Sequence, residues 1–428
     1  MTPALGGEFE VPLPDPIARD YLLLALRLDQ RSPGIVDGYF GPADLKAQVD
    51  MEPLAPPRRL VDDARALRAR LPAEVDDPAR RRWLEVQLVA LETLAGALAG
   101  EPLEYLDLVA RCFDFRPAPR DEAVFRGATS ALDDVLPGSG PLRDRLVAWD
   151  ERMTVPSDRV RPVADWLVGR FRDRAAATFG LPTGESLRLS LVRGQPWSGY
   201  NWYDGGLRSR VELNVDLPIR AADLVSVVAH ETYPGHHLEH AWKEAGLVRD
   251  QGRLEASALL INTPECLVSE GLADLGRRFA VPPEAEMELL VELLERAGLF
   301  DARDAATAAA ATATRVATLR HELSAVAINA ALMRHASGAS HDETQDYLVE
   351  VGLMIPERAA RRLEFIEHPL WRTYIFVYTE GEVLLRRWLD LVPPVDQAAH
   401  FGRLLHEAVT PSGIGAELEA AGRDPGSR

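Results

Sequence analysis

This sequence has few cysteines, no long apolar run and no recognisable targeting segment. Only Cys112 and Cys266 occur in 428 residues, which is too few for a disulfide framework. The apolar run Leu22–Leu26 ends at Arg27, far short of the roughly 18 residues of a membrane helix. Residues 1–14 contain neither the basic nor the apolar part of a secretory signal. We therefore expect a soluble protein of the reducing cytoplasm that has no membrane partner.

Positive charge is scarce as well. The 48 Lys and Arg residues are outnumbered by 66 Asp and Glu residues, which gives a net charge of -18. Such a chain has no strong basic field with which to attract a phosphate backbone, so nucleic acid is not an expected partner. The acidity itself is typical of a well-solvated surface. Nothing in the sequence indicates the oligomeric state.

Apolar residues recur at helical spacing over most of the chain. One such region is Pro16–Leu181, in which Pro- and Gly-rich breaks indicate turns, and another is Asp301–Trp388. We predict a mainly α fold with two lobes. The N-terminal helical lobe is 1–181, and the lobe that holds the functional site is 182–428. The two are expected to form one continuous domain.

The pattern changes to alternation near residue 186. Apolar and polar residues alternate in Leu187–Leu191 and in Val211–Leu217, as they do in half-buried strands. We predict a small antiparallel sheet next to the site helix. The connection Gly194–Gly206 contains four aromatic residues that could cap the core or border a substrate cleft, and the core is favoured. These residues are Trp197, Tyr200, Trp202 and Tyr203.

The stretch Ala229–His240 contains four of the ten histidines and two glutamates. A helix that begins near Asp223, a good N-cap, would bury the apolar run Leu224–Ala229 and deliver His230 and Glu231 into the interior. A buried imidazole or carboxylate is costly unless it is paired or binds a metal, and both groups are ligands of zinc. The simpler alternative is a polar helix end that is rich in histidine by chance.

The spacing departs from the usual zinc signature, in which two histidines lie four residues apart on one helix. Pro234 occupies that position after His230. On an unbroken helix His236 would lie about 120° away from His230, and His237 would lie on the same face but about 10 Å further along. Proline removes a backbone hydrogen bond and glycine tolerates distorted geometry. We infer that Pro234 and Gly235 form a kink that turns a later histidine towards the ion.

A rival arrangement lies in the same stretch. His236, Glu239 and His240 fit the inverted signature H-x-x-E-H, with two ligands at helical spacing and Glu239 as general base. Against this arrangement, Glu239 and His240 lie where the helix approaches the charged residues Lys243 and Glu244. Both could therefore be simply solvated.

A second helix is expected to begin at Thr263, as N-cap, with Pro264 at the first helical position. It would place Glu270 and Asp274, four residues apart, on one face. Asp274 taken alone could equally be an ordinary surface carboxylate.

Two motifs together resemble the bacterial domain-of-unknown-function family 885, whose members are similar to gluzincin zinc peptidases. The first is His230–His237, with the order His-Glu-x-x-Pro-Gly-His-His. The second is Glu270–Ala273, where Leu272 replaces the Trp of the family's Glu-Gly-Trp-Ala. The resemblance extends over most of the chain and is clearest in Tyr200–Gly381. It implies a large, helical, metallopeptidase-like fold.

The resemblance also implies a zinc site. His230 and His236 would be ligands, with His237 as the alternative to His236. Glu270 would be the third protein ligand, which leaves a position for water. Glu231 would be the general base that takes a proton from the activated water.

Further residues would surround such a site. Asp274 could accept the second N–H of a ligand imidazole. His335 and Tyr378 resemble the family's downstream histidine and its Tyr-x-x-Gly, and in related peptidases such residues hydrogen-bond the oxyanion of the tetrahedral intermediate. The alternatives are a histidine that caps a helix end and a tyrosine in the core. Arg372–Ile375 stands where the family has Pro-Gly-Gln-Ala.

The sequence therefore predicts a zinc-dependent hydrolase whose partner is a peptide or a small amide substrate, with peptides favoured. Two alternatives stay open. One is a metal hydrolase of a non-peptide amide or ester, for which the same activated water would serve. The other is a catalytically inactive binding protein that retains the fold.

Overall fold

The computed structural model describes residues 15–195 and 197–422, and its architecture is mainly α. This confirms the predicted fold class. No helix in that part of the chain is long and apolar enough to cross a membrane. Residues 1–14, on which the expectation about a targeting segment rests, lie outside the described residues.

Several helices have proline in their first turn, where a missing N–H costs nothing, and a side chain that caps the first free N–H groups. Asp15 caps the first helix in this way and Thr263 caps the eleventh. The helices are α1 (Pro16–Arg31), α2 (Ala43–Met51), α3 (Pro57–Glu74), α4 (Pro78–Leu98), α5 (Tyr105–Phe113), α6 (Glu122–Val135), α7 (Leu142–Arg152), α8 (Ser157–Phe179), α9 (Ala221–Glu231), α10 (His236–Lys243), α11 (Pro264–Ala280), α12 (Pro283–Arg296), α13 (Arg303–Ser324), α14 (Val326–His335), α15 (His341–Glu350), α16 (Pro356–Glu367), α17 (Val377–Leu389), α18 (Gln397–His406) and α19 (Pro411–Ala420). Shorter helical segments of other types are Glu244–Asp250, Leu254–Ser257, Tyr374–Phe376 and Pro394–Asp396.

Two small sheets accompany the helices. Strands β1 (Val36–Tyr39) and β5 (Ala258–Leu260) form an antiparallel pair. Strands β2 (Ser186–Val192), β3 (Gly199–Tyr203) and β4 (Arg208–Asn214) form a sheet in the order β2-β4-β3.

The predicted small antiparallel sheet is present in the pairing of β3 with β4, but the two alternating segments are not antiparallel partners. β2 and β4 run parallel, with Leu189 opposite Val211, and it is β3 that pairs antiparallel with β4. The reason lies in the connection between them, which contains a strand of its own. The chain returns along β3, so β4 starts again at the end where β2 started. The sheet does lie beside the site helix, because Asn201 in β3 donates from Nδ2 to the carbonyl oxygen of Glu231 at 2.7 Å.

The buried apolar side chains form two large groups. One is built by α1 to α4 together with Val248, Leu254 and nearby residues of the segment that ends in β5. The other unites α5 to α9 with α11 to α19 and the inner face of the three-stranded sheet. This larger group includes residues on both sides of position 181, such as Phe171 and Leu224. The division into lobes at that position stays a prediction.

Helices α11 and α17 cross at two glycines. A Cβ added to Gly271 would lie 2.6 Å from the carbonyl oxygen of Gly381 and 2.8 Å from the backbone nitrogen of Glu382. A Cβ added to Gly381 would in turn overlap the carbonyl oxygen of Leu267 and lie 3.1 Å from the Cα of Gly271. The two backbones are therefore in direct contact, and only glycine fits at either position.

We expect Gly271→Ala to destabilise the protein by about 1–3 kcal/mol, because the added methyl group must push two helix backbones apart. Gly127→Ala is the matched control. Gly127 lies within α6, and a Cβ there would meet no atom within 4 Å. That change should raise stability by about 0.5–1 kcal/mol through helix propensity. Denaturant unfolding of both variants gives the comparison, and equal stability of the two would contradict the proposed close contact.

Candidate metal centre

Helix α9 delivers His230 and Glu231 into the interior. It begins at Ala221, two residues before the predicted N-cap, and Asp223 caps nothing. Instead the Asp223 carboxylate accepts from Nε of Arg220 at 2.7 Å. The helix is apolar where it faces the core, and Glu231 at its end is only 6% exposed. The predicted burial of this helix is confirmed.

The helix stops at Glu231, and α10 begins at His236, after four intervening residues. The peptide bond between Tyr233 and Pro234 is cis. Gly235 donates its backbone N–H to the carbonyl oxygen of Ala229 at 3.2 Å. A Cβ on Gly235 would lie 2.6 Å from that same oxygen and would also overlap the backbone of His230. The predicted kink is therefore present, and it requires glycine.

The kink places His230 and His236 side by side, with their ring centroids 4.6 Å apart and their planes perpendicular. Glu270, from the middle of α11, faces both rings. Its Oε2 lies 3.4 Å from Nε2 of His230, and its Oε1 lies 3.7 Å from Nε2 of His236. One ligand atom from each of the three residues lies within 4.8 Å of the other two. The three side chains could therefore hold a metal ion together.

The outer nitrogen of His230 has the partner expected for it. Nδ1 of His230 donates to Oδ1 of Asp274 at 2.8 Å, which orients the ring so that Nε2 points towards Glu270. Asp274 follows Glu270 by one turn of α11, as the sequence predicts. Such a carboxylate behind a ligand imidazole is common in metal sites.

One carboxylate oxygen of Glu270 accepts a hydrogen bond, and the other has no donor among the described residues. The hydroxyl of Tyr374 donates to Oε1 at 2.6 Å, whereas Oε2 is buried without a hydrogen-bond donor among the described residues. Burial alone would raise the pKa of Glu270, but the His230 and His236 imidazoles and the Tyr374 hydroxyl lower it to about 2. An ionised, buried oxygen without a donor is costly. A divalent cation would fit this donor set, because two imidazoles and a carboxylate oxygen without a donor are ligands of zinc.

Glu231 lies next to this cluster. Burial raises the pKa of its carboxyl group, and the neighbouring His230 and His236 only partly oppose that effect. The side chain packs against the backbone of β3, where a Cβ on Gly199 would lie 3.1 Å from Oε1 of Glu231. Gly199 thus leaves the room that the Glu231 carboxylate occupies.

His237 does not join the cluster. It is fully buried, with Nδ1 2.8 Å from Oγ of Ser209 and Nε2 2.8 Å from Oε2 of Glu185. Both ring nitrogens are therefore engaged elsewhere. Of the two alternatives raised by the sequence, His236 is the residue that lies beside Glu270.

The rival group also exists as a cluster, since ligand atoms of His236, Glu239 and His240 lie within 4.8 Å of one another. The expectation that Glu239 is solvated is wrong, because it is completely buried. Its carboxylate accepts from Nζ of Lys243 at 2.7 Å and from Oγ of Ser269 at 2.5 Å. Burial lowers the pKa of His240 to about 3, so this imidazole is neutral. Glu239 already has a lysine partner, whereas the basic neighbours of Glu270 are the imidazoles of His230 and His236.

The two candidate oxyanion donors have different surroundings. Tyr378, in the first turn of α17, is 41% exposed and packs edge-on against Tyr374 at 5.4 Å between centroids. It therefore borders the site. His335, at the end of α14, lies 2.8 Å through Nε2 from the carbonyl oxygen of Ile366, and its ring packs on Tyr105. None of these His335 contacts involves the cluster, so the position matches the simpler expectation of a helix-end histidine.

Tyr374 is a site residue that the sequence did not single out. It belongs to the segment Arg372–Ile375, where the chain departs from the family pattern. The only available signal was an aromatic residue four positions before Tyr378, which is ordinary for a helix in the core.

The aromatic connection before β4 divides between core and site. Tyr203 is buried, and its hydroxyl donates to Glu244 at 2.6 Å, as the favoured core interpretation expects. Trp197, Tyr200 and Trp202 are only half-buried and form a row, with centroid separations of 5.4 and 4.4 Å. The Tyr200 hydroxyl contacts Asp37 of β1. Tyr200 is the member of this row that lies near the site, because the Glu231 and Glu270 carboxylates add to burial in raising the pKa of its hydroxyl.

Glu185 stabilises the break between α9 and α10 by binding two side chains next to it. Its Oε2 accepts from the hydroxyl of Tyr233 at 2.6 Å and lies 2.8 Å from Nε2 of His237, so it ties together both sides of the break. Its Oε1 accepts from Nη2 of Arg172 at 2.6 Å. Burial opposes the charge, but His237, Tyr233 and Arg172 outweigh it and lower the pKa of Glu185 from 4.5 to about 2.

We expect Glu185→Gln to cost about 3 kcal/mol at neutral pH, because it removes a buried charge from its partners. A carboxyl whose pKa is lower in the folded state stabilises the fold above its unfolded pKa, and that stabilisation is lost as the pH falls. The difference in unfolding free energy between wild type and variant should therefore shrink between about pH 4.5 and 2. Chelator-treated protein is used so that loss of metal in acid does not contribute. A difference that is independent of pH in this range would mean that Glu185 is not ionised in the folded protein.

Comparison with known proteins adds information about the fold alone. No protein-family model matches the chain, and no curated protein matches it. A solved structure that is similar is that of the "putative lipoprotein" from Colwellia psychrerythraea, with a TM-score of 0.52 and 14% sequence identity. The match covers 84% of this chain and 66% of that one, so this chain spans slightly less than two thirds of that protein's length. The resemblance to family 885 stays a prediction.

We expect the purified protein to retain about one zinc ion per chain, with affinity that depends on Glu270. Glu270→Gln should weaken binding by more than the roughly 10- to 100-fold that loss of an outer partner costs, and Asp274→Asn should fall within that range. His240→Asn is the control, since His240 belongs only to the rival group. The metal content of each variant, measured after dialysis against a weak chelator, gives the order of their zinc affinities. An empty site in His240→Asn and a full one in Glu270→Gln would assign the ion to His236, Glu239 and His240 instead.

Proposed function

We propose that the protein is a zinc-dependent hydrolase that acts on peptides. The observation that supports this most directly is the convergence of His230, His236 and Glu270, with Oε2 of Glu270 buried and lacking a donor. A buried cluster with perturbed pKa values is the usual setting of an active site. The presence of Glu231 beside it supports hydrolysis rather than a purely structural metal.

His230, His236 and Glu270 would hold the ion, and Asp274 and Tyr374 would keep two of these ligands in position. Zinc in such a site supplies Lewis acidity, which polarises a carbonyl group and acidifies water. Two imidazoles and one carboxylate are also a ligand set that is found in catalytic zinc sites, where the fourth position stays open.

Glu231 would serve as the proton carrier. Burial raises the pKa of its carboxyl group towards the range in which a group can both accept and return a proton near neutral pH. Tyr378 would act as a donor to the substrate. Burial raises the pKa of its hydroxyl well above the usual value, so the hydroxyl keeps its proton. Its position at the edge of the site suits a hydrogen bond to a carbonyl oxygen on which negative charge develops.

Peptides are favoured because the chain resembles peptidase relatives and because Tyr200, in a row of three half-buried aromatic side chains, lies near the site. A hydrolase of a non-peptide amide or ester is the second candidate, since the same groups would act on either bond. We place the protein in the cytoplasm, because both of its cysteines are free and buried, as is usual in a reducing compartment.

We expect Glu231→Gln to retain zinc and to lose turnover by about 10²- to 10⁴-fold, because an amide has the shape of the carboxylate but cannot accept a proton. Hydrolysis of a peptide mixture by the zinc-loaded variant, followed by mass spectrometry, measures this. Zinc content serves as the control for folding. The proposal fails if the folded, zinc-loaded Glu231→Gln variant is as active as wild type. If Glu239→Gln is the inactive variant instead, the result favours the inverted signature with Glu239 as general base.

A further inference from the structure

An arginine without a carboxylate partner lies beside the candidate site. Some partly buried arginines are paired with carboxylates, as Arg120 is with Glu380 and Arg220 with Asp150. Arg362 in α16 is half-buried as well. Among the described residues, neither a hydrogen bond nor an ion pair satisfies its guanidinium group. In a chain with a net charge of -18, carboxylates are abundant, yet none of the described ones forms an ion pair with Arg362.

The position of Arg362 follows from the contacts of α16. Phe365, three residues later and on the same side of the helix, packs edge-on against Tyr374 at 6.4 Å between centroids. Tyr374 binds Glu270 through its hydroxyl and packs against Tyr378. Arg362 is also near enough to Tyr378 for its charge to lower the pKa of the Tyr378 hydroxyl, against the larger effect of burial. Arg362 is therefore a neighbour of the tyrosine pair that borders the metal cluster.

The charges around Arg362 favour the binding of an anion. Arg358, one turn before Arg362 on α16, is exposed, and its guanidinium group repels that of Arg362, whereas Asp150 and Asp223 offset the charge of Arg358. Burial without a carboxylate disfavours the charged form of Arg362 and lowers its pKa. A cation that is partly buried in this way is costly unless an anion offsets it. The carboxylates of the cluster do not serve, because His230, Tyr374 and the proposed ion engage them.

We propose that Arg362 binds a carboxylate group of the substrate, next to Tyr378, and so selects peptides that carry a carboxylate close to the bond that is cleaved. This inference rests on the proposed function. A guanidinium group presents parallel N–H donors that match the two oxygens of a carboxylate. The carboxylate is either the C-terminal group of a peptide or the side chain of an acidic residue. In both cases its binding places the scissile bond relative to His230, His236 and Glu270.

The test compares matched peptides. One mixture carries free C-termini and the second carries the same sequences with amidated C-termini, each prepared with and without Asp and Glu. Wild type should prefer the peptides that contain a carboxylate by at least about tenfold in kcat/KM, which is the effect of one charge-assisted hydrogen bond. Arg362→Gln should lose this preference, and Arg362→Lys should recover part of it. The pair of mixtures that shows the preference identifies which carboxylate is bound.

Arg361→Gln is the matched control, because Arg361 is the adjacent residue of α16 and is exposed. It should behave as wild type. A preference that survives in Arg362→Gln, or that is absent from wild type, overturns the proposal. So does a variant that loses activity equally on peptides with and without carboxylates, since that would indicate a structural role only.

Binding measured by calorimetry separates this inference from the proposed function. The same peptides are titrated into zinc-loaded Glu231→Gln protein, with and without Arg362→Gln. A carboxylate-dependent affinity that disappears with Arg362→Gln supports the inference even if no peptide is hydrolysed by wild type. In that case the hydrolase proposal fails while the carboxylate site stands. Equal affinity for acids and amides rejects the carboxylate site whatever the activity.

Discussion

The geometry of the candidate site depends on one close approach of backbone to backbone. Gly235 lies so near the end of α9 that a side chain on it would be 2.6 Å from the carbonyl oxygen of Ala229. Because the chain can approach so closely, α10 starts beside the last turn of α9 instead of continuing it. On a continuous helix His230 and His236 would point about 120° apart. The break brings their rings to within 4.6 Å, and Glu270 can then face both.

Two further contacts keep this arrangement in place. Behind the break, Glu185 binds the side chains on either side of it. Opposite the break, Gly271 and Gly381 let α11 and α17 touch, which brings the helix of Glu270 against the segment of Tyr374 and Tyr378. Both glycines belong to motifs that were first noted for their resemblance to a family. In this chain their role is physical, since the absence of side chains at Gly271 and Gly381 lets α11 and α17 come into contact.

The sequence predicted those parts of the site that local pattern encodes. The burial of α9, the kink at Pro234 and Gly235, and the shared face of Glu270 and Asp274 all follow from periodicity and from the chemistry of proline and glycine. The partners that come from far along the chain were not predictable in the same way. Tyr374 and Glu270 are 104 positions apart, and no local pattern announces their contact. The parallel pairing of β2 and β4 was missed for a similar reason, since it depends on a third strand in a connection whose aromatic residues suggested a cap.

Two groups of candidate metal ligands occur among the described residues, and their surroundings differ. His236 belongs to both groups, so spacing alone cannot choose between Glu270 and Glu239. The choice depends on Lys243, one turn after Glu239 in α10, whose ammonium group binds both Glu239 and Glu265 at 2.7 Å. A divalent cation beside Glu239 would be repelled by that buried ammonium group, and at low dielectric this repulsion is strong. Glu239 instead accepts from Ser269, the residue that precedes Glu270. The ion pair that makes Glu239 a poor ligand therefore helps to hold α10 against α11, and so sets Glu270 opposite His236.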